Sequence, residues 1–380
     1  MTPAASSHSI VPSFIQRQAK LAGMLPAAGL QAVALNSGPS LIYLTGLPFH
    51  LSERPILALI IPDQPLTLVL PELELPKTAN LPFPLRSFAY GEDPATWQSV
   101  FTQALESTGL GLAKVGVEPA QMRVLELRLL EGARQGLQVV SSETQLAEMR
   151  ICKDEAEIAW MRTAARIAQE ALKATLVMIK VGVTEREIAA ELMLQLMRSG
   201  SDAALPFPPI VSGGPNSSNP HAVPSDRALK PGDLLVIDWG ASYHGYFSDI
   251  TRTFALGKVE AEFARIGAIV RKANAAGRAA CAPEILPEDV DGVTRKVIDR
   301  EGYRAQFTHR TGHGLGMEAH EAPYIRAGNR LPLRPGMTFT IEPGIYLEGR
   351  GGVRIEDDMV ITASSGESLT DLPREVQRLD

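Results

Sequence analysis

The pattern of hydrophobic and polar positions divides the chain into two parts. Up to about residue 145, short apolar runs alternate with segments rich in Pro, Gly, Asn and Asp. Residues 34–47 (ALNSGPSLIYLTGL) and 56–74 (ILALIIPDQPLTLVLPELE) are typical of strands broken by turns, and 96–111 (TWQSVFTQALESTGLG) are typical of a helix that ends at glycine. This alternation predicts an α/β amino-terminal domain.

Helical spacing begins after this part. The stretch Glu155–Lys180 has apolar positions at helical intervals and contains neither proline nor glycine. Thr184 and Glu187 then form a capping box for a second helix, which runs to about Arg198. We therefore expect two domains, 1–147 and 148–380.

The remaining residues mix strands and helices. Apolar runs and alternation predict strands in the segments that contain VIDWG and TFTIEP. Two further segments with helical spacing follow the first pair of strands. The strand-like segments are 234–243, 246–254, 337–343 and 352–362, the helical ones are 258–280 and 287–301, and 206–226 is a short strand with a long polar loop. This order predicts an α+β carboxy-terminal domain with antiparallel hairpins.

Composition and charge exclude several classes of protein. The 380 residues are 45% hydrophobic with a net charge of −6, which argues against a general nucleic-acid surface. No apolar run of about 18 residues predicts a membrane span, and the first residues lack the pattern of a secretory leader. The two cysteines, Cys152 and Cys281, are isolated, which favours reduced thiols in a cytoplasmic protein.

Asp238 is the first candidate for chemistry, because it follows the apolar run of a predicted buried strand. A buried carboxylate must be paired or bind a metal, although at a strand end it could equally cap a turn. We expect a two-residue turn at His244–Gly245. With that turn, Asp249 lies opposite Gly240 and on the same sheet face as Asp238. Two carboxylates would converge there, which like charges tolerate around a cation or a shared proton.

Three of the seven histidines, His309, His313 and His320, fall within twelve positions. Their segment contains three glycines between 312 and 316, which disfavour a helix and predict a loop. Such a density favours a site over separate structural histidines, but the spacing does not say which histidine binds metal. The zinc motif HExxH and cysteine-based zinc patterns are absent from the sequence.

Further acidic candidates lie near the end of the chain. Glu342 ends a predicted strand, and Arg354 and Glu356 share one face if their segment is a strand. For Arg354, a salt bridge to Glu356 or Asp358 and a contact with a metal ligand or a substrate carboxylate are equally open. Asp357 and Asp358 are interpreted as ordinary polar positions.

Five motifs, VIDWG, SDITRTF, GHGLG, IEPGIY and RIEDD, follow one another in this order. They resemble the metal-ligand motifs of the pita-bread metallopeptidase family, which includes methionine aminopeptidase, Xaa-Pro aminopeptidase and Xaa-Pro dipeptidase (prolidase). Residues 149–168 resemble the opening helix of that catalytic domain, and 37–46 resemble a creatinase-type amino-terminal domain. The resemblance implies an α/β creatinase-like domain followed by an α+β pita-bread catalytic domain with an antiparallel sheet.

The resemblance also implies a set of metal ligands. These are Asp238, Asp249, His313, Glu342 and Glu356, with Asp249 and Glu356 bridging two divalent ions. Four carboxylates and one imidazole suit manganese, with cobalt and zinc as alternatives, better than copper.

Catalytic and substrate-binding roles follow from the same resemblance. Glu342 would take the proton of a water molecule, while His320 and His221 would bind the carbonyl oxygen of the substrate. His309 would position substrate or make a structural hydrogen bond, and Arg354 would join His221 and His320 in contacting substrate.

These residues favour the proline-specific branch of the family. We expect a dipeptidase that cleaves small peptides with proline at the second position through a metal-bridging hydroxide, and that forms a homodimer. An Xaa-Pro aminopeptidase acting on longer peptides, and a non-catalytic binding protein on the same scaffold, are the alternatives.

Overall fold

The computed structural model describes residues 13–379, so the predicted absence of a leader concerns residues outside the described range. It divides into two compact units, with residues up to Arg150 in the first and residues from Ile151 onward in the second. The boundary expected between 147 and 148 falls within the last helix of the first unit, Glu143–Arg150.

The first unit is built on one six-stranded mixed sheet. Its helices are α1 (Phe14–Met24), α2 (Pro39–Thr45), α3 (Trp97–Ser107), α4 (Val124–Ala133) and α5 (Glu143–Arg150), and its strands are β1 (Ala32–Leu35), β2 (Leu57–Ile60), β3 (Leu66–Pro71), β4 (Leu85–Tyr90), β5 (Lys114–Val117) and β6 (Gln138–Ser141). The strand order is β4-β3-β2-β1-β5-β6, and β1, β5 and β6 run parallel. Helices pack their apolar faces against this sheet, which confirms the α/β prediction.

Helix α2 corrects one sequence expectation. The run containing Leu41, Tyr43 and Leu44 was expected to be a strand, and it forms a short buried helix instead. Pro39 lies in its first turn, where the fixed φ of proline suits a helix start. Gly46 ends it with a φ of 72°, the left-handed conformation that closes many helices.

The long helices of the second unit were predicted well from the sequence. They are α6 (Glu155–Thr175), α7 (Glu185–Arg198), α8 (Ala261–Ala280) and α9 (Pro287–Arg300). Thr184 and Glu187 form the predicted capping box at the start of α7. Helix α6 ends at Thr175 rather than at Lys180, because the chain tightens into a 3₁₀ turn over Leu176–Met178.

Strands of the second unit form two main sheets and two small ribbons. The strands are β7 (Ile210–Gly213), β8 (Leu234–Trp239), β9 (Ser242–Tyr243), β10 (Tyr246–Phe247), β11 (Ile250–Leu256), β12 (Gly312–Gly314), β13 (Glu321–Ile325), β14 (Thr338–Ile341), β15 (Gly344–Leu347), β16 (Gly351–Arg354), β17 (Asp357–Ile361), β18 (Gly366–Ser368) and β19 (Gln377–Leu379). The larger sheets have the orders β19-β11-β8-β7 and β13-β12-β14-β17-β18. Apart from the parallel pair β11 and β19, neighbouring strands are antiparallel, as predicted.

The hairpin at the start of this unit has the predicted register. His244 and Gly245 both have positive φ, 53° and 74°, as a tight two-residue turn requires. Tyr243 pairs with Tyr246, and the same register continues to Asp238 opposite Thr251.

Two other expectations for this unit are wrong. The glycine-rich segment around His313 is the short strand β12 rather than a loop. Residues 352–362 are two strands, because the chain leaves β16 after Arg354 and enters β17 at Asp357. Glu356 lies in the break, so the assumption of one continuous strand does not hold.

Two small findings complete the fold. Cys152 and Cys281 are not joined by a disulfide, in agreement with the expectation from their spacing. No helix among residues 13–379 combines the length and the apolar character that crossing a membrane would require.

Candidate metal centre

One cavity of about 680 Å³ in the second unit collects every site residue proposed from the sequence. These residues are His221, Asp238, Asp249, His309, His313, His320, Glu342, Arg354 and Glu356. They come from strands and connecting segments along most of the second unit. The fold therefore converges them from positions that are far apart in the chain.

Asp238 lies at the floor of this cavity and is bound by Arg354. Its Oδ2 accepts a hydrogen bond of 2.6 Å from Arg354 Nη2. Arg354 also donates through Nε to Thr251 Oγ1, directly opposite Asp238 in the β8–β11 register. The salt bridge proposed from Arg354 to Glu356 or Asp358 is wrong, because the partner is a carboxylate on another strand.

Asp249 and Glu356 lie in the gaps between strands. The backbone N–H of Asp249 donates to the carboxylate of Asp358, at 3.1 and 3.2 Å, which holds Asp249 beside β17. Glu356 accepts a hydrogen bond of 2.6 Å from the hydroxyl of Thr251. Asp357, its neighbour, pairs with Arg252, so Asp357 and Asp358 have structural partners as the sequence interpretation expected.

His313 reaches the same point from the middle of β12. Side chains at Gly312 and Gly314 would overlap carbonyl oxygens of the neighbouring strands, so glycine on both sides of His313 allows the strands to approach. The ring nitrogen Nδ1 lies 3.2 Å from the Gly314 carbonyl oxygen. Nε2 faces the carboxylates, 3.4 Å from Glu342 Oε1 and 3.7 Å from Asp249 Oδ2.

Three donor groups form a compact set that could hold a metal ion. One ligand atom each from Asp249, His313 and Glu356 lies within 4.8 Å of the others. Asp238 and Glu342 line the same cavity but do not belong to this closest set. One oxygen of Asp238 is taken by Arg354, and Glu342 adjoins His313.

A hydrogen-bonded chain borders the centre on the side of His309. Nδ1 of His309 lies 2.8 Å from the Arg310 carbonyl oxygen, and Nε2 lies 2.9 Å from the Tyr346 hydroxyl. That hydroxyl also accepts a hydrogen bond of 2.9 Å from Arg354 Nη1. Tyr346 therefore connects His309 to the arginine that holds Asp238.

The other two histidines, His320 and His221, are both exposed at the cavity. His320 packs beside His313, with ring centroids 4.1 Å apart. His221 is exposed on the loop after β7, where its backbone N–H is bound by Asn219. Both line the cavity with the candidate ligands.

Burial dominates the electrostatics of the carboxylates. It raises the pKa of Asp249 well above the ordinary value, and repulsion from Glu356 and Asp238 adds to it. Burial and the charge of Glu342 likewise raise the pKa of Glu356 well above its usual range. Burial raises the pKa of Glu342 to about 7, against the opposing charge of Arg354. A single guanidinium thus fails to neutralise the cluster.

The histidines are shifted toward their neutral forms. Burial lowers the pKa of His313 well below its ordinary value, and the nearby His320 adds to this. Burial and Arg354 together lower the pKa of His309 to about 3. A neutral imidazole whose Nδ1 donates to a carbonyl presents Nε2 as a lone-pair donor.

Two family models match the chain, in the order that the two units suggest. The creatinase/prolidase N-terminal domain matches residues 17–152. The model of metallopeptidase family M24 matches residues 159–363, which is more than half of the chain. The chain belongs to metallopeptidase family M24. The expected creatinase-like and pita-bread domains are thereby confirmed.

Relatives in family M24 cover nearly the whole chain. An Xaa-Pro dipeptidase of Pyrococcus horikoshii is 32% identical over 94% of this chain and 97% of its own length. The crystal structure of a dipeptidase from the same organism matches with a TM-score of 0.89 at 35% identity, covering 96% of this chain and all 100% of that one. An X-Pro aminopeptidase of Thermotoga maritima matches with a TM-score of 0.83 at 28% identity, covering 95% and 99%.

The residues present suit the metal dependence of family M24. Asp238 Oδ1 is buried and has no hydrogen-bond partner among the described residues. An orphaned buried carboxylate oxygen is costly unless a cation binds it. Burial and the neighbouring carboxylates raise the pKa of Asp249 and Glu356, and a divalent ion would act in the opposite direction by favouring their charged forms. The cluster is therefore chemically suited to divalent metal.

Three residues in or beside this cavity were missed in the sequence. Thr251 supports Glu356 and Arg354, and it could have been found because the predicted register places it opposite Asp238. Tyr346 lies in the motif IEPGIY, but nothing in the sequence indicates its contact with Arg354. Arg310 lines the cavity beside His309 and carries no motif signal of its own.

Proposed function

We propose that this M24 metallopeptidase hydrolyses Xaa-Pro dipeptides with two divalent metal ions. The proposed ligands are Asp238, Asp249, His313, Glu342 and Glu356. The observation that carries the proposal is the buried, under-neutralised carboxylate cluster with an orphaned Asp238 oxygen at the floor of the cavity.

The donor set defines the metals to test. Carboxylate oxygens and one imidazole suit manganese, cobalt or zinc. When bound, such ions supply Lewis acidity, which lowers the pKa of a water molecule and stabilises negative charge on the substrate carbonyl. Asp249 and Glu356 would hold the ions together in this proposal, and the positive charge of the ions would relieve the repulsion between these two carboxylates.

Glu342 is the proposed proton acceptor of the reaction. A general base is most effective when its pKa lies near the working pH, and burial raises the pKa of Glu342 to about 7. Its Oε1 lies within reach of His313 Nε2 and of the Thr340 hydroxyl, which orient the carboxylate. Glu342 takes a proton from water and returns it to the leaving nitrogen.

The histidines bind and orient the substrate. His320 donates a hydrogen bond to the scissile carbonyl oxygen, and His221 reaches the same oxygen from the outer loop. His309, held through Tyr346, positions the substrate between them. Arg354 fixes Asp238 in place, so it acts on the substrate through the metal ligand or by direct contact.

Proline selectivity is assigned to the apolar wall of the cavity. A proline after the scissile bond makes a tertiary amide without an N–H and adds a compact apolar ring. The wall consists of Phe207, Pro208, Pro209, Pro220, Val223 and Pro224. The similarity to the P. horikoshii dipeptidase over nearly full length supports this substrate class.

The second candidate is an Xaa-Pro aminopeptidase that acts on longer peptides. Similarity to the T. maritima X-Pro aminopeptidase favours it, since that chain also matches over nearly its full length. The two activities differ in whether the residue after the scissile bond ends in a free carboxylate. As part of the first proposal, two copies of the chain form a homodimer, which its molar mass in solution tests.

A metal-reconstitution experiment tests the proposal. The chelated protein is supplied with manganese, cobalt or zinc, and release of the amino-terminal alanine is compared for alanyl-proline, alanyl-prolyl-alanine and alanyl-alanine. We expect about two ions per chain by elemental analysis and a preference for alanyl-proline. Equal turnover of the tripeptide would favour the aminopeptidase, and a protein that neither binds metal nor cleaves any peptide would be a binding protein.

A further inference from the structure

Arg310 is a cation of the cavity that has no acidic partner. It is partly buried between His309 and Thr311 and lines the same cavity as the candidate ligands. Its side chain makes no hydrogen bond or ion pair with any residue between 13 and 379, and its guanidinium carbon lies 4.7 Å from the centre of the Tyr324 ring. Arg354, the other arginine of the cavity, is fully engaged by Asp238 and the Tyr346 hydroxyl.

The position of Arg310 places its charge in the cavity of the proposed metal ligands. Arg310 lines this cavity together with them, and its guanidinium lies over the ring of Tyr324. Stacking on an aromatic ring fixes the plane of the guanidinium and leaves its edge of donors available.

The surroundings of Arg310 select the chemistry of its ligand. A partly desolvated guanidinium binds a planar carboxylate through paired hydrogen bonds. Arg354 is already bound by Asp238, and carboxylates of the cavity such as Asp249 and Glu356 are assigned to metal in the proposed function. The proline-rich wall offers no charge at all. Of the two arginines that line the cavity, Arg310 is therefore the one available to the anionic end of a substrate.

We propose that Arg310, stacked on Tyr324, binds the free carboxylate of the residue after the scissile bond and so confines the enzyme to dipeptides. This inference rests on the proposed Xaa-Pro dipeptidase function and adds the residue that distinguishes it from an aminopeptidase. In a longer peptide the same position is a neutral amide, which gains little from a guanidinium. Arg310 is then a specificity-determining residue that leaves the bond-breaking groups unchanged.

The test compares two substrates that differ in this one charge. Alanyl-proline and alanyl-prolinamide are assayed with the metal-loaded wild-type enzyme and with Arg310→Gln. The variant should lose about tenfold to a hundredfold in kcat/KM on alanyl-proline, mainly through KM, as expected for a lost charge-assisted pair. Activity on the amide should stay within about twofold, which also shows that the variant is folded.

Two further variants distinguish the charge of Arg310 from the planar shape of its guanidinium and from the effect of replacing any arginine. Arg310→Lys keeps the charge but loses the planar fork, so its activity on alanyl-proline should lie between wild type and Arg310→Gln. Arg326→Gln is the control, because Arg326 is an exposed arginine outside the cavity, and it should match wild type on both substrates.

The outcomes distinguish this inference from the proposed function. Wild-type enzyme that cleaves neither substrate would contradict the dipeptidase function itself. Wild-type enzyme that cleaves both equally, or an Arg310→Gln enzyme that loses both activities in the same proportion, would overturn the role of Arg310 while leaving the Xaa-Pro peptidase in place.

Discussion

Two adjacent carboxylates, Glu356 and Asp357, are equally buried and lie in opposite surroundings. Their exposed fractions are 2% and 0%. Burial alone would raise the pKa of Asp357, but Arg252 and Arg374 outweigh it and hold the pKa at about 2. Burial and the charge of Glu342 instead raise the pKa of Glu356 well above its usual range.

This difference separates a structural carboxylate from a functional one. Asp357 has its counter-charges within the protein, so the fold is complete around it. Glu356 faces further carboxylates, among them Glu342 and Asp238, and it belongs to the group that could hold a metal ion. A buried carboxylate therefore indicates a functional site when the protein supplies too few cationic side chains to balance its charge.

The largest expected effect is the loss of activity when a carboxylate of the proposed metal site, to which Glu356 belongs, is neutralised. Asp249→Asn removes one charge from the compact metal set and should lower kcat by at least about a thousandfold, because metal supplies several kcal/mol of charge stabilisation. Metal content measured on the same preparation should fall with it. Glu348→Gln, at an exposed carboxylate that does not line the cavity, is the control. Full metal content with normal activity would remove Asp249 from the centre.

The next largest effect is a loss of folding stability when the structural carboxylate Asp357 is neutralised. Asp357→Asn leaves Arg252 buried without its counter-charge, and breaking such a pair costs about 3–5 kcal/mol. The free energy of unfolding from denaturant titration should fall by that amount. Asp371→Asn, at an exposed position, should change it little. An unchanged midpoint for Asp357→Asn would show that the two carboxylates do not differ as described.

A smaller effect is the pH dependence of the metal-free protein. The folded-state pKa of Glu342, about 7, lies above the ordinary value of 4.5, so the folded state binds more protons and loses stability as pH rises. Relative to Glu342→Gln, wild type should lose roughly 2 kcal/mol of unfolding free energy between about pH 5 and pH 8. Chelated samples and chemical denaturation give this difference, and a constant or rising value would contradict it.

The smallest expected effect comes from the hydroxyl that connects His309 to Arg354. Tyr346→Phe removes two hydrogen bonds and should lower kcat/KM by about twofold to tenfold, with metal content unchanged. Tyr303→Phe, whose hydroxyl binds the distant Glu262, is the control. If metal content falls as well, the hydroxyl supports the ligands rather than the substrate groups.

Local rules were sufficient where neighbours in sequence are neighbours in space. The turn at His244–Gly245 fixed the register of one hairpin and brought Asp238 and Asp249 to one cavity. Capping residues marked the start of α7 in the same way. These features depend on turn geometry and alternation, both of which the sequence displays.

Long-range pairing could not be predicted by the same rules. Arg354 binds Asp238, which lies 116 positions earlier, because β8 and β16 meet in the folded unit. Alternation had left open a salt bridge to Glu356 or Asp358, which are close in sequence, and a contact with a metal ligand, and the structure shows the contact with Asp238. His313 was selected among the histidines by family resemblance. The need for glycine on both sides of it follows from the close approach of the neighbouring strands to β12, which only the structure shows.

The dispersal of the centre along the chain has a consequence for folding. Thr251 and Glu356, which are hydrogen-bonded, are separated by 105 positions, and their approach requires both main sheets. Such non-local contacts form late, after the loops between them have closed. A partly folded chain therefore lacks a complete set of donors, and capture of metal would follow assembly of the sheets instead of nucleating it. Metal uptake would then report completion of this unit during refolding.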